Sequence, residues 1–280
     1  MEVKYSILGE LIYVSLGAYL LAFLLSITRL RRFGLFFFLV GFLGSFSAYV
    51  HRWQTTGHIP MQNLFEVFLA LGVVIYPLSF FSKKILKTTG QAFDMILAAC
   101  VLFPAGFVFS EASADLPPAL QSPLFIPHVT AYMLAYIFMA KAAGQAVKQI
   151  LSRRRKKEDK PNEPDLTLST TLKTGSLATF EDAAYRLTCA GFPLLVLGLI
   201  LGSIWGKLAW GNWWNWDPKE MWSLTCLLIY AGYFHFRFMF GKRYPTINSV
   251  WVLTGFAAII LTLLWVNLSR LFPGLHSYAF

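Results

Sequence analysis

Charged residues are scarce in this sequence, and their scarcity argues against a soluble domain. Only 14% of the 280 residues are charged, whereas 56% are hydrophobic and the mean hydropathy is +0.56. Soluble domains usually carry about 25% charged residues, so the chain is predicted to be a polytopic membrane protein. In such a protein the net charge of +10 reflects the orientation of the loops and does not indicate a nucleic-acid partner.

Cysteine is also scarce, and the sequence lacks the usual catalytic motifs. Its three cysteines, Cys100, Cys189 and Cys226, lie inside apolar runs and form no CxxC pair. They are predicted to be small apolar residues that either face lipid or are packed between helices, so neither a disulfide framework nor a thiol relay is indicated. The sequence shows no phosphate-binding glycine loop, paired carboxylates or serine–histidine–aspartate arrangement, so those kinds of catalysis are not expected.

Long apolar runs, in contrast, occupy most of the chain and predict an all-α bundle of about eight transmembrane helices. They cover residues 7–27, 33–50, 64–82, 91–109, 128–147, 186–204, 221–238 and 249–268. No small-residue cleavage site follows the first run, which is therefore expected to remain as a span and not to be removed as a signal peptide. Residues 1–280 are predicted to form a single integral membrane domain.

Lysine and arginine are distributed unequally between the two ends of these runs. The loops and helix ends at 29–32, 83–87, 141–186 and 237–243 hold 19 of the 24 residues, and the opposite ends hold five. By the positive-inside rule the richer side is predicted to be cytoplasmic, including a basic loop at 148–178. Both termini, and the loop that follows the sixth run, are then expected to lie outside.

Tryptophan is concentrated in the tryptophan segment, residues 205–222, where WGKLAWGNWWNWDPKEMW contains six of the nine tryptophans. Tryptophan favours membrane interfaces, so one interpretation is an aromatic belt between two spans. A belt needs only one or two rings at each span end, however. A cluster with interleaved glycine and asparagine also predicts a flat aromatic surface that holds a large planar ligand.

Individual residues of the segment differ in what they predict. The candidates for ligand contact are Trp210, Trp213, Trp214, Trp216, Asp217 and Trp222. Trp222 lies at a span end, as does Trp205, and both fit a belt equally well. Asp217, Pro218 and Glu220 also match the N-cap, N1 and N3 positions of a capping box, which would begin the seventh helix in any membrane protein.

Four of the five histidines are predicted to lie on the same side as the tryptophan segment: His51, His58, His128 and His276. His235 differs, because it lies 14 residues beyond Met221 and therefore about 21 Å down the seventh helix. Ionisable groups at such a depth are rare and usually functional, although a neighbouring helix can also satisfy a structural histidine.

Outer histidines beside an aromatic surface suggest a planar ligand that carries a metal. Imidazole binds haem iron, and two imidazoles give a six-coordinate iron with the porphyrin plane between them. Zinc is less attractive, because the histidines lie on separate spans without cysteine or carboxylate at ligand spacing. Three cations on this side can meet either haem propionates or lipid phosphates: Lys207, Lys219 and Arg270.

At this point the sequence resembles a known family. WGNWWNWDPKEMWSL matches the tryptophan-rich WWD signature of the haem-handling cytochrome c biogenesis proteins, a superfamily that includes CcsA (ResC), CcmC and CcmF. Within that superfamily, TGHIPMQNLFE at 56–66, LIYAGYFHFR after the signature, and GLHSY near the C-terminus resemble the CcsA branch, the membrane component of System II.

The resemblance implies ligands for haem b as the transported substrate. It assigns the outer axial ligands to His128 and His276, and a ligand of an inner haem site to His235. The family's opposite inner ligand comes from a CcsB (ResB) partner, which the resemblance implies as a separate chain.

The implied function is cytochrome c maturation, in which haem crosses the membrane and is presented outside to the CxxCH motif of apocytochrome c. The chain would act mainly by positioning haem within a cytochrome c synthase, with thiol-reducing proteins as further partners. The membrane would be a bacterial plasma membrane or a thylakoid membrane. Two alternatives are a CcmC-like protein that delivers haem to a chaperone and a transporter of amphipathic anions without haem.

Overall fold

The computed structural model describes residues 3–112, 121–159 and 180–265, in which all the regular secondary structure is helical. Each predicted apolar run corresponds to one main helix, and the last three residues of the eighth run, 266–268, lie outside the described residues. The helices are α1 (Ile7–Ser26), α2 (Arg31–Thr56), α3 (Leu64–Lys84), α4 (Gln91–Phe107), α5 (Phe125–Asp159), α6 (Phe180–Trp210), α7 (Pro218–Phe240) and α8 (Pro245–Ile260), and a π-helical turn (Leu261–Trp265) follows α8.

Among the described residues, six helices are long and apolar enough to cross a membrane by length and composition: α1, α2, α3, α5, α6 and α8. Helix α4 is apolar but has 17 residues, and α7 is not among the six. These features confirm the predicted all-α bundle of a multi-pass membrane protein.

Several helices extend beyond the apolar runs, because caps and not hydrophobicity set their ends. Helix α2 ends at Thr56, and its C-cap residue Gly57 has a φ of 74°, the left-handed conformation that ends helices. Helix α6 runs to Trp210 and α7 begins at Pro218, so only residues 211–217 of the tryptophan segment form a loop. Helix α5 reaches Asp159, so the predicted loop at 148–178 begins as helix.

The helices pack as two groups that meet at α5. The first core joins α1 to α4 and includes Met133 and Ile137 of α5. The second lies between α5, α6, α7 and α8 and is centred on Tyr230 and Tyr233, both almost fully buried. Helices α5 and α6 make the most extensive contact of the bundle.

Buried ion pairs lie at the end of the bundle away from the tryptophan segment, one between the two groups and one within the second group. Lys141 of α5 pairs with Asp94 of α4 at 2.5 Å, and Ser79 of α3 donates to the same carboxylate. In the second group Arg237 of α7 pairs with Glu181 of α6, which also accepts from Asn248 of α8. Such pairs keep ionisable groups satisfied inside an apolar bundle.

Candidate functional site

A cavity opens at the tryptophan end of the bundle, the end where α5 and α7 begin and α6 ends. Its walls come from residues 61–67, the first turns of α5, the last turns of α6, the start of α7 and the π-helical turn. The lining is mainly apolar, and His128, Lys219 and Glu220 are its acidic and basic side chains. An apolar cavity with a few polar groups is typical of a small-molecule site.

His128 lines this cavity from the first turn of α5. Its Nδ1 lies 2.8 Å from the carbonyl oxygen of Gly198 in α6. A carbonyl oxygen only accepts hydrogen bonds, so Nδ1 carries the hydrogen and the ring lone pair is on Nε2, the kind of nitrogen through which a neutral histidine can bind a metal ion. Hydrogen bonds of this kind fix the tautomer and the ring orientation of histidine ligands in metalloproteins.

Two glycines, one turn apart on α6, make room for the side chains of α5. A Cβ atom at Gly202 would lie 2.6 Å from Cε1 of His128, and one at Gly198 would lie 3.0 Å from the ring of Tyr132. The first distance is shorter than any tolerated carbon contact, so only glycine at 202 allows the His128 ring its observed position.

Trp205 belongs to this site and not to a membrane belt, contrary to one interpretation of the sequence. Its side chain is only 1% exposed, and its ring centroid lies 5.6 Å from that of His128. Trp210 packs on the other side of Trp205 at 6.0 Å, and Phe125 meets it edge to face. This role of Trp205 could not be predicted from the sequence, because which side of α6 faces α5 depends on where the two helices cross.

The loop at 211–217 places its tryptophans differently from one another. Trp214 lines the cavity. Trp213 and Trp216 are 58% and 69% exposed, and Trp216 adopts a positive φ of 58°, which turns the chain before α7. Trp222 is partly exposed on α7 and does not line the cavity. The predicted aromatic surface is therefore divided between a cavity wall and an exposed rim.

Asp217 and Glu220 form the predicted capping box. Oδ1 of Asp217 accepts from the backbone N–H of Lys219 at 2.9 Å, and the Glu220 carboxylate accepts from the N–H groups of Asp217 and Asn215. Pro218 occupies the first helical position. These bonds satisfy donors that the helix start would otherwise leave unpaired, and they hold the end of the loop against α7.

Lys219 is a half-buried cation in the cavity wall. Burial lowers the pKa of its ammonium group to about 8, and the nearby Asp217 carboxylate opposes that shift. The group is therefore still mostly protonated at neutral pH. Lys207, which the sequence grouped with it, is exposed, and its Nζ donates to the carbonyl oxygen of Gly211 at 2.6 Å.

The opposite wall is held by Glu66, for which the sequence indicated no role. Glu66 is fully buried and pairs with Arg52 of α2 at 2.9 Å, while its second oxygen accepts from the backbone N–H of Gln62. Asn63 caps α3 by accepting from the Glu66 N–H. This network fixes the 57–63 loop, whose last residues line the cavity. Sequence spacing alone could not reveal the Arg52 pair, because it joins two helices.

The other histidines of the described residues, His51, His58 and His235, do not line the cavity. His235 is exposed on α7, about 26 Å along the helix from Pro218. Within the described residues no hydrogen bond or ion pair involves it. Nδ1 of His58 lies 3.2 Å from the carbonyl oxygen of Ile59, and His51 is half-buried in α2. His276 lies outside the described residues.

Three or more metal-binding side chains do not cluster anywhere in the part of the chain that the structure describes. A bare ion such as zinc usually needs three or four protein ligands. A haem iron already has four porphyrin nitrogens and needs only one or two. One histidine, His128, lines the cavity among the described residues, and one protein ligand is compatible with haem.

The chain is similar to known cytochrome c assembly proteins. The family model described as cytochrome C assembly protein matches residues 61–274, which include the cavity. Cytochrome c biogenesis protein CcsA of Prochlorococcus marinus strain MIT 9313 is 31% identical over 255 residues, covering 82% of this chain and 78% of the relative. CcsA of strain NATL2A is 33% identical over 259 residues, covering 83% of this chain and 80% of the relative. CcsA of strain MIT 9215 is 28% identical over 303 residues, covering 98% of this chain and 94% of the relative.

Proposed function

Because the chain belongs to the cytochrome c assembly protein family and so has a role in cytochrome c maturation, we propose that its cavity holds haem b for attachment to apocytochrome c. One observation carries this proposal. The Nδ1 contact of His128 with the Gly198 carbonyl oxygen favours the tautomer with its lone pair on Nε2, and His128 lines a mainly apolar cavity together with Trp214 while Trp205 packs against its ring. That combination suits a flat apolar macrocycle around an iron.

Attachment asks little more of the protein than positioning. The S–H bond of each CxxCH cysteine adds across a vinyl double bond of haem, so the electrons balance without an oxidant. His128 holds the iron, the aromatic wall orients the macrocycle, and the apolar lining limits access of water. Apocytochrome c is the partner in this step, and thiol-reducing proteins keep its cysteines reduced.

Two further histidines complete the proposed path of haem. His276 in the C-terminal tail is the second axial ligand of the outer site, opposite His128. His235 is a ligand of an inner site, and its exposed position on α7 leaves it accessible to a separate CcsB (ResB) partner that supplies the opposite ligand. Ionisable groups within membrane helices are rare and usually mark functional sites.

The proposed orientation follows from the charge distribution. Nineteen of the 24 lysines and arginines lie on the side of residues 148–178, which is cytoplasmic in this proposal. The cavity and both termini then lie on the outer side of a bacterial plasma membrane or a thylakoid membrane. Residues 1–280 act as one integral membrane domain.

The test of this function is maturation of a co-expressed cytochrome c reporter, read by haem staining. We expect His128→Ala, His276→Ala and deletion of residues 275–280 to abolish holocytochrome c while the proteins accumulate normally in the membrane. Such a deletion touches no apolar run, so insertion is unaffected. His58→Ala serves as the matched control and is expected to have a milder effect. Wild-type holocytochrome c from the His128 variant would refute the proposed role of the cavity.

A further inference from the structure

The cavity contains a cation whose position differs from that of the other basic residues near the tryptophan segment. Lys219 lines the cavity, together with His128. Lys207 lies three residues before the end of α6, is exposed, and donates a hydrogen bond to the carbonyl oxygen of Gly211. The structure therefore separates two lysines that the sequence could not distinguish.

The acidic residues nearest to Lys219 are already engaged by the backbone. Oδ1 of Asp217 accepts from the Lys219 N–H, and the Glu220 carboxylate accepts from Asn215 and Asp217. Asp217 attracts the Lys219 ammonium, but burial outweighs that attraction, since the net effect is a lowered pKa of about 8. A carboxylate ligand in the cavity would offer this half-buried ammonium a charge-assisted hydrogen bond.

His128 and Lys219 reach the same cavity from different helices, α5 and α7. A ligand that contacts both is held at two points, which fixes its rotation as well as its position. Haem has a metal at its centre and two carboxylates on one edge, so it can satisfy both contacts together.

We propose that Lys219 binds a propionate carboxylate of haem and thereby sets the rotation of the macrocycle about the iron–His128 axis. This inference rests on the proposed function and adds to it the residue that decides which edge of haem meets the incoming thiols. Lys219 is a positioning residue, because it contacts a substituent of the substrate and not the reacting vinyl carbons. An anionic lipid headgroup offers similar oxygens, and the test separates the two sources.

The test compares the binding of haem with that of its dimethyl ester, in which both carboxylates are neutral. The full-length protein is purified in neutral detergent, and each compound is titrated by absorbance. Wild-type protein is expected to bind the ester about tenfold more weakly than haem, as for loss of one charge-assisted hydrogen bond. Lys219→Met is expected to bind both compounds equally, and Lys219→Arg to retain the preference for haem.

The substitutions leave the start of α7 intact, because the capping bond uses the backbone N–H of residue 219 and not its side chain. Lys207→Met is the matched control and is expected to keep the wild-type preference. The haem absorption maximum should also be unchanged in Lys219→Met, because the iron ligand His128 is untouched.

Three results would overturn the inference. A preference for haem that survives in Lys219→Met would show that the carboxylate binds elsewhere. If Lys207→Met lost the preference for haem to the same extent as Lys219→Met, the preference would depend on general surface charge and not on Lys219. Competition by phosphatidylglycerol vesicles, with no discrimination between haem and its ester, would make Lys219 a lipid site. If wild-type protein bound neither compound, the proposed function itself would fail, which is a different result from equal binding of both.

Discussion

Gly202 leaves the space that the His128 ring occupies, and this contact can be tested by adding one methyl group. Alanine at 202 would place a Cβ 2.6 Å from Cε1 of His128, so the imidazole must rotate and its Nδ1 bond to Gly198 must break. Overpacking of this kind costs about 1–3 kcal/mol. We expect Gly202→Ala to lower the haem content of the purified protein about tenfold or more.

Gly17 provides the matched control for this substitution. It also lies inside a membrane helix, but a Cβ there would meet no atom within 4 Å. Gly17→Ala should therefore keep the wild-type haem content, measured by the pyridine haemochrome spectrum. Equal haem content in both variants would mean that the His128 ring does not depend on the space at Gly202.

Single residues were predictable where their role is local in the sequence. The capping box of Asp217 and Glu220 is a spacing rule, and the structure confirms it. Trp205 and Glu66 depend instead on which helix crosses which. The sequence placed Trp205 in a possible belt, whereas it is buried against His128, and it gave Glu66 no role, whereas Glu66 pairs with Arg52.

At the scale of one element, substitutions at the start of α7 can show whether Asp217 serves as a helix cap or contacts the ligand. Asparagine offers the same side-chain oxygen to the Lys219 N–H and is an equally good N-cap, whereas alanine removes the cap at a cost of about 1 kcal/mol. We expect Asp217→Asn to retain thermal stability and haem content, and Asp217→Ala to melt earlier. Both are measured on purified protein by thermal unfolding and absorbance. A stable Asp217→Asn protein without haem would instead assign the carboxylate to the ligand.

The existence of the helices was more predictable than their ends. Apolar runs marked all eight helices, because a membrane span needs about twenty apolar residues whatever its neighbours are. The ends depend on caps and polar segments that continue the helical hydrogen bonds. For this reason α2 reaches Thr56 and α6 reaches Trp210, beyond their apolar runs.

At the scale of the whole molecule, the charge asymmetry predicts the orientation of the bundle. Single-cysteine variants Arg155→Cys and Asn212→Cys, made without the three native cysteines, can be labelled with a membrane-impermeant maleimide in intact cells. We expect Asn212→Cys to react from outside and Arg155→Cys to react only after the membrane is opened. Protection of residue 212 in intact cells would place the cavity on the cytoplasmic side and contradict the proposed presentation of haem.

The cavity as a whole could not be derived from the sequence. Its walls come from five parts of the chain between Met61 and the π-helical turn, and their meeting depends on the contact of α5 with α6. The sequence did indicate two of its components, because His128 and the tryptophan segment are each unusual in a membrane protein. The resemblance to a family assigned His128 and the tryptophan segment to one haem site. The contact between Nδ1 of His128 and the Gly198 carbonyl oxygen supports that assignment, because it orients the histidine ring.

The most direct test of the central claim is the absorption spectrum of His128→Ala, purified with and without imidazole. If Nε2 of His128 holds the haem iron in the cavity, the variant loses most of its Soret absorbance. Free imidazole, which can occupy the space of the missing ring, then restores part of it. His58→Ala, whose histidine is bonded to the Ile59 carbonyl, should keep the wild-type spectrum. A His128→Ala protein with full Soret absorbance that does not respond to imidazole would contradict the account.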